Sequence, residues 1–183
     1  MKVYQTVFMF LLMILIVPVG KLQAQSSATE KTQVANIRDL YAKAKQQIED
    51  AKRLVKEGEP GNELTINNYY QVPGCGPNNE VISIYYNGTY SEEASTVVYI
   101  PYFISRKFNY AVRNYYQEIL FDQKGDLVFF FEKMENDETR YYWSTDKLIH
   151  EIIKGDRTTD EVFAARLASD LKEAFNKIMN RNY

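Results

Sequence analysis

Short apolar and aromatic runs alternate with polar gaps along the middle of the chain. The clearest region spans residues 115–153, where four such runs are separated by three gaps of polar, turn-forming residues. Within the runs, apolar and polar residues tend to alternate, which is typical of strands that bury one face of a sheet. The region therefore predicts an antiparallel meander at the centre of the fold.

Further strand-like segments precede this meander. Residues 63–72 are polar enough to indicate an edge strand, and residues 80–86 form a second strand that ends at Asn87-Gly88, a tight-turn signal. Pro101 lies in a third segment and indicates an edge or a bulge, because proline cannot donate to a sheet ladder. Together with the meander, these segments predict about six to seven antiparallel strands.

Two other segments have the periodicity of helices. Apolar residues recur every three or four positions between residues 37 and 55, and again between residues 163 and 178. Ser27 and Thr158 are each followed three residues later by Glu, which is the spacing of a capping box. The predicted fold is α+β, with a long N-terminal helix, the meander sheet and a C-terminal helix, and both helices are expected to pack on one sheet face.

The turn at residues 122–126 sets the register of the first hairpin in the meander. A type I turn with a glycine bulge places Phe121 opposite Leu127 and Ile119 opposite Phe129. The face expected to carry the helices then comprises Ile119, Phe121, Leu127, Phe129 and Phe131. The other face is expected to stay open.

The N-terminus has the pattern of a signal peptide. Lys2 precedes an apolar run of about a dozen residues, and small and polar residues follow with a plausible cleavage point after Ala24. The run is short for a membrane span, which needs roughly 20 apolar residues. We expect residues 1–24 to be removed, residues 25–183 to form a single domain, and the protein to be exported, either periplasmic or secreted, with no stable membrane span after cleavage.

The net charge of the chain argues against a nucleic-acid partner. Removal of residues 1–24 takes two lysines from 22 basic residues and leaves the 24 acidic residues unchanged. A mildly acidic protein lacks the basic footprint that nucleic acids require. We therefore expect no nucleic-acid partner, and the oligomeric state stays open.

Aromatic residues are the departure from ordinary composition, with 15 Tyr and 10 Phe against one Trp. Four Tyr-Tyr pairs recur in predicted strands, and adjacent strand residues point to opposite faces. One Tyr of each pair is then expected outside the core, where aligned rings could bind a sugar, a peptide or a partner protein. Cross-strand pairing that only stabilises the sheet is the alternative. The candidate ligand or partner surface comprises Tyr70, Tyr86, Tyr116, Tyr142 and His150.

Catalytic chemistry has few candidates. Cys75 and His150 are the sole residues of their kinds and would have to form a thiol nucleophile and its base. Paired carboxylates for glycoside hydrolysis could come from Glu80, Glu118 and Glu132. One Cys and one His do not supply a zinc site, and no phosphate-binding glycine loop is present, so no catalytic, metal or cofactor site is predicted.

The segment from residue 111 to residue 152 resembles the middle of small exported proteins of Bacteroidetes-type bacteria. The resemblance rests on the Tyr-rich run, on Leu120-Phe121-Asp122 with Gly125, and on Arg140-Tyr141-Tyr142. The VPGCGP loop and the EVISIYY strand extend it over roughly residues 71–153. It implies export and the α+β fold, and since the family carries no known activity it transfers no site residues. Ser144-Thr145-Asp146 departs from the Gly or Asn usual at the second hairpin.

We therefore expect a non-enzymatic exported domain that binds a partner protein or small ligand through a Tyr-rich sheet face. The enzymatic alternative is a hydrolase that uses Cys75 with His150, or a Glu/Asp pair. A third possibility is an envelope protein that works through an oligomeric interface.

Overall fold

The structure is a computed structural model, and it describes residues 19–59, 61–93, 95–156 and 159–180. Within these ranges the chain forms two helices and seven strands. Most of the predicted signal peptide, residues 1–18, lies outside the described residues. The elements are α1 (Val19–Lys56), β1 (Glu63–Val72), β2 (Gly76–Ser91), β3 (Thr96–Tyr110), β4 (Arg113–Phe121), β5 (Leu127–Met134), β6 (Asp137–Ser144), β7 (Lys147–Lys154) and α2 (Glu161–Met179).

The seven strands form one sheet in the order β1-β2-β3-β4-β5-β6-β7, and every neighbouring pair is antiparallel. This confirms the predicted α+β order of helix, meander sheet and helix. The bounds of β1 agree with the prediction. The prediction of a tight turn at Asn87-Gly88 is wrong. Those two residues continue β2 and pair with Ile100 and Tyr99.

Pro101 lies in β3, on a stretch that the pairing with β4 does not reach, and the bulge interpretation is confirmed. Tyr85 pairs with Phe103 and Tyr86 pairs with Pro101, which leaves Tyr102 as the extra residue of a bulge. Such a bulge relieves the ladder where proline has no N–H to donate.

The expectation that both helices pack on one sheet face is wrong. The stretch of α1 from Val34 to Ile48 packs on the face that carries Phe103, Leu120 and Phe129. Helix α2 packs on the opposite face with Ile104, Ile119 and Phe130, through Ala164, Ala168 and Phe175. The sheet is the middle layer of three because adjacent strand residues, such as Ile119 and Leu120, are both apolar and each side needs cover.

A bulge also explains the error in the predicted register. Phe121 faces Leu127 as expected, but Leu120 faces Phe129 and Ile119 faces Phe130. Val128 is the extra residue on β5, and it moves Phe129 and Phe131 to the α1 face. A one-residue shift reverses the face of every later side chain, so the face predicted to hold both helices divides between the two sides.

The second hairpin of the meander closes with Thr145 and Asp146 at φ 52° and 60°. Two left-handed residues in succession are the geometry of a type I′ turn. Trp143 faces Leu148, and a register irregularity beside it places Tyr142 opposite His150.

The two helices also do not begin at the positions that the capping-box spacing predicted. Helix α1 runs through Ser27 from Val19, so the start predicted at Ser27 is wrong. Thr158 lies outside the described residues, and the N-cap of α2 is Asp160, whose side chain accepts a hydrogen bond from the backbone N–H of Phe163 at 2.8 Å. Asp is among the preferred N-cap residues for this reason.

Asn180 attaches the end of α2 to β3. The first half of β3 extends beyond β4, whose pairing with β3 ends at Phe103 opposite Leu120. At Tyr99 the Asn180 carboxamide takes the place of a neighbouring strand: its oxygen accepts from the backbone N–H, and its nitrogen donates to the backbone carbonyl, both at 2.8 Å. This side chain satisfies a backbone pair that would otherwise lose its partner.

We expect Asn180→Ala to lower the free energy of unfolding by about 1–3 kcal/mol, because two partly buried backbone groups lose their hydrogen bonds. Denaturant unfolding of the variant and of Asn136→Ala, an exposed turn asparagine, measures the difference. The Asn136 variant should stay within about 0.5 kcal/mol of the parent. Equal effects at the two sites would contradict the role given to Asn180.

Candidate functional site

Glu118 is a buried carboxylate at the centre of the α1 face of the sheet. Its residue is 2% exposed, and it lies on β4 between the sheet and the middle of α1. It accepts hydrogen bonds from the hydroxyl groups of Tyr41 at 2.6 Å and Tyr116 at 2.5 Å, and from the Lys45 ammonium at 2.8 Å. Three donors compensate for the loss of water around this charge.

The same cluster fixes the protonation of two tyrosines. Burial, and then the hydrogen bond to Glu118, raise the pKa of the Tyr41 hydroxyl well above its ordinary value of 10.0. The same two causes raise the pKa of the Tyr116 hydroxyl even more strongly. Both hydroxyl groups therefore stay neutral and keep donating to Glu118 throughout the physiological pH range.

Beside this cluster, a row of three side chains crosses the sheet. Lys107 on β3 pairs with Tyr116 on β4, and Tyr116 pairs with Lys133 on β5. Directly paired residues of antiparallel strands point to the same face, so two lysines flank one tyrosine on the α1 side. The Lys107 ammonium lies 5.8 Å from the centroid of the Tyr116 ring.

This row lies in a groove of about 550 Å³ at the end of the sheet where β3 turns into β4. A second pocket of about 300 Å³ shares Val81, Lys107 and Tyr116 with the groove. It continues along α1, where Lys45 and Lys52 contribute to its wall. We call the two together the lysine groove. Its larger part is lined by Asn79, Val81, Lys107, Phe108, Asn109, Asn114, Tyr115, Tyr116, Lys133 and Glu135.

Four lysines and two glutamates line the lysine groove, and Glu138 pairs directly with Lys133 across β5 and β6. Lys107 and Lys133 are exposed, and within the described part of the chain neither has an acidic side chain within 4.0 Å. Glu63 and Glu135 are the acidic residues of the lining, and Glu118 below the groove is already bonded to three donors. The arrangement can hold an anionic group beside an aromatic ring.

The predicted tyrosine surface does not form as one strip. Tyr86 packs on the α2 side with its ring centroid 5.4 Å from that of Phe175. Tyr142 packs on the α1 side and is 3% exposed. The prediction that one sheet face stays open is wrong, because a helix packs on each face of the sheet.

The remaining members of that predicted surface lie far apart. Tyr70 is half-buried on edge strand β1, and His150 is exposed on edge strand β7 with its ring 5.7 Å from the Tyr142 ring. Tyr116 is the one predicted residue that lies in the lysine groove.

Cys75 and His150 are not brought together. Cys75 lies in the turn between β1 and β2, and β3 to β6 lie between β2 and the strand that carries His150. Five strand spacings of about 4.8 Å correspond to roughly 24 Å across the sheet. Proton transfer needs hydrogen-bond contact, so these two residues do not form the predicted nucleophile and base.

The three predicted carboxylates do not form a hydrolytic pair either. Glu118 faces α1, whereas Glu80 and Glu132 face α2 with Arg106 and Gln117 on the two strands between them. Three strand spacings separate Glu80 from Glu132 by about 14 Å, beyond the ~5–10 Å that glycosidases use.

On the α2 face these residues form a hydrogen-bonded row. Arg106 donates to Glu80 and, at 2.9 Å, to Gln117, which donates to Glu132 at 2.5 Å. Thr159 donates to the second oxygen of Glu132 at 2.6 Å. The row satisfies buried polar groups across four strands and is structural.

No group of three or more His, Cys, Asp or Glu side chains among the described residues is arranged to hold a metal ion. Nor does any helix in the described part of the chain have the length and apolar character to cross a membrane.

Sequence reasoning missed Lys107 and Lys133, since a lysine in a strand is an ordinary solvated residue. The signal that could have found them is register. Once Lys107 and Lys133 are aligned with Tyr116 across three strands, the two charges and the ring form one site.

No protein-family model, curated protein or solved structure matches this chain. The case for a function therefore depends on the geometry of the lysine groove.

Proposed function

We propose that this chain is a non-enzymatic, exported binding domain that takes a small anionic ligand in the lysine groove. The observation that carries the proposal is the row of Lys107, Tyr116 and Lys133 on the floor of a groove of about 550 Å³. A groove of this size is in the range of small-molecule sites, which combine an aromatic surface with a few placed polar groups.

The two lysines supply the charge that would select the ligand. They lie two strand spacings apart, about 10 Å between their backbones, and each has a flexible stem of four carbons. Both ammonium groups can therefore reach one carboxylate or phosphate held between them. Because this part of the groove is open to water, we expect modest affinity and strong dependence on salt concentration.

Tyr116 supplies a fixed surface for the body of the ligand. Its hydroxyl is bonded to Glu118 at 2.5 Å, and its ring contacts Phe131 edge-on at a centroid distance of 6.3 Å. A side chain already held in place loses little rotamer entropy when a ligand packs on it. A flat or ring-shaped molecule with an acidic group matches both features.

The proposal is tested by comparing glucuronate with glucose as probes, because the two sugars differ by a carboxylate. We expect glucuronate to shift the backbone amide signals of Lys107, Tyr116 and Lys133 in a heteronuclear NMR titration, and glucose to shift them much less. Lys107→Gln with Lys133→Gln should weaken glucuronate binding at least about tenfold, equivalent to about 1.4 kcal/mol.

Lys147→Gln is the matched control, since Lys147 is an exposed lysine on β7, at the far edge of the sheet. This variant should bind glucuronate as the parent does. Shifts scattered over all surface lysines, or binding that persists in the double variant, would refute a site in the lysine groove.

A further inference from the structure

Strand β1 is a long exposed edge. It lies at one end of the sheet order and pairs over ten residues with β2 without a bulge. Its alternate residues Glu63, Thr65, Asn67, Tyr69 and Gln71 are all exposed, and Tyr69 is 79% exposed. An edge of this kind is available to pair with another strand.

The ladder shows which backbone groups point outward. The N–H of Tyr86 donates to the carbonyl of Asn62 at 3.2 Å, just before β1 begins. In an antiparallel ladder the residues that bond to the neighbour alternate with residues whose N–H and C=O point away from it. Even-numbered residues of β1 therefore bond to β2, and the odd-numbered residues direct their N–H and C=O groups to the free side.

Charge distinguishes this edge from the opposite one. Strand β1 carries no charged side chain and no proline from Leu64 to Val72, whereas β7 carries Lys147, Glu151 and Lys154 within eight residues. Charged residues, lysine above all, are how proteins prevent edge strands from pairing. The β7 edge has this protection, and the β1 edge does not.

We propose that β1 pairs antiparallel with β1 of a second copy of this chain, about a two-fold axis at Asn67. Asn67 is the middle of the five odd residues, so this register uses all of their outward backbone groups. Thr65 then faces Tyr69 of the second copy, a β-branched and aromatic pair that stabilises sheets. Leu64 faces Tyr70 of the second copy on the other side of the sheet.

Electrostatics favour the same register. Glu63 is the one charge in β1, and the two-fold axis places it opposite Gln71 of the second copy, so like charges do not meet. The contact is isologous and closes on itself. The sheet then continues through both copies and ends at the charged β7 edge on each side.

Charge reversal at the axis tests this dimer. Asn67→Asp and Asn67→Lys each place two like charges in a directly bonded pair, about 5.5 Å apart between Cα atoms. Sedimentation equilibrium of the chain as purified from its host should show a concentration-dependent dimer for the parent. Each variant alone should dimerise at least about tenfold more weakly, equivalent to about 1.4 kcal/mol.

An equimolar mixture of the two variants should restore the dimer as a heterodimer, because opposite charges then meet at the axis. His150→Asp on the β7 edge is the matched control and should dimerise as the parent does. Thermal unfolding followed by circular dichroism confirms that each variant is folded. A parent that stays monomeric, a dimer unchanged by Asn67→Asp, or a mixture that stays monomeric would overturn the proposal.

Discussion

Glu118→Ala is expected to lower the free energy of unfolding by about 3 kcal/mol, measured by denaturant titration at neutral pH. The substitution leaves the partly buried hydroxyl groups of Tyr41 and Tyr116 without the acceptor they bond to. Each buried donor without a partner costs about 1–3 kcal/mol. Lys45 adds less, because its side chain is 40% exposed and its ammonium can turn to solvent.

Two further variants separate the carboxylate from the side-chain volume. Glu118→Gln keeps one carbonyl oxygen and the shape of the side chain, so we expect about half of the loss. Glu151→Ala removes an exposed glutamate from β7 and should change stability by less than about 0.5 kcal/mol. If Glu118→Gln and Glu118→Ala both matched the Glu151 control, the hydrogen bonds to Glu118 would not contribute to stability.

The cluster also connects stability with the proposed site. Tyr116 bonds to Glu118 and forms the floor of the lysine groove, so loss of the carboxylate frees the ring on which the ligand is proposed to pack. The folded Glu118→Gln variant should therefore bind glucuronate more weakly than the parent protein does. The expected loss of binding free energy is about 0.5–1.5 kcal/mol, because the ligand must then immobilise an aromatic side chain that Glu118 no longer holds in place.

The order of elements could be predicted from the sequence because each signal was local. The alternation of residues 115–153 indicated the meander, and the two helical stripes indicated the helices that flank it. The sides on which the helices pack could not be predicted in the same way, since this depends on contacts between distant segments.

One signal for a sheet covered on both faces was nevertheless present. Ile119-Leu120-Phe121 and Phe129-Phe130-Phe131 are continuous apolar runs, and a strand covered on one side alternates instead. Each run supplies residues to both cores: Leu120 and Phe129 contact the α1 side, while Ile119 and Phe130 contact the α2 side.

Bulges explain most of the errors in the predicted strand register, and therefore most of the errors in the predicted binding surface. The extra residues at Tyr102 and Val128 change which face the following side chains occupy, and neither has a sequence signature beyond Pro101 beside the first. Tyr116 was predicted to belong to a binding surface, but its lysine neighbours come from β3 and β5 and become visible only through pairing.

The free energy of unfolding should fall steeply above pH 10, and Tyr41 and Tyr116 should account for a measurable part of that decrease. Burial and the hydrogen bond to Glu118 raise the pKa of Tyr41 and of Tyr116 above the ordinary value of 10.0 that each has in the unfolded chain. Burial likewise raises the pKa of Tyr102 to about 12. Below pH 10 both the folded and the unfolded chain keep these protons, so the full stability is present.

Above pH 10 the unfolded chain releases these protons while the folded chain retains them, so rising pH favours unfolding. One such group changes the free energy of unfolding by at most about 1.4 kcal/mol per pH unit. Both rings are only partly buried, and solvent screening reduces the effect. We therefore expect Tyr41 and Tyr116 together to contribute a loss of about 1.4 kcal/mol per pH unit between pH 10 and the higher pKa values of the folded state.

Urea unfolding from pH 8 to pH 11.5 measures this slope in the parent and in Tyr41→Phe with Tyr116→Phe. Phenylalanine cannot ionise, and every other titrating group is common to both chains and cancels in the comparison. The double variant should be less stable than the parent at pH 8, because Glu118 loses two donors, and the difference should shrink as the pH rises above 10. Parallel curves would mean that the two hydroxyl groups titrate alike in the folded and unfolded chains, and would contradict the buried cluster around Glu118.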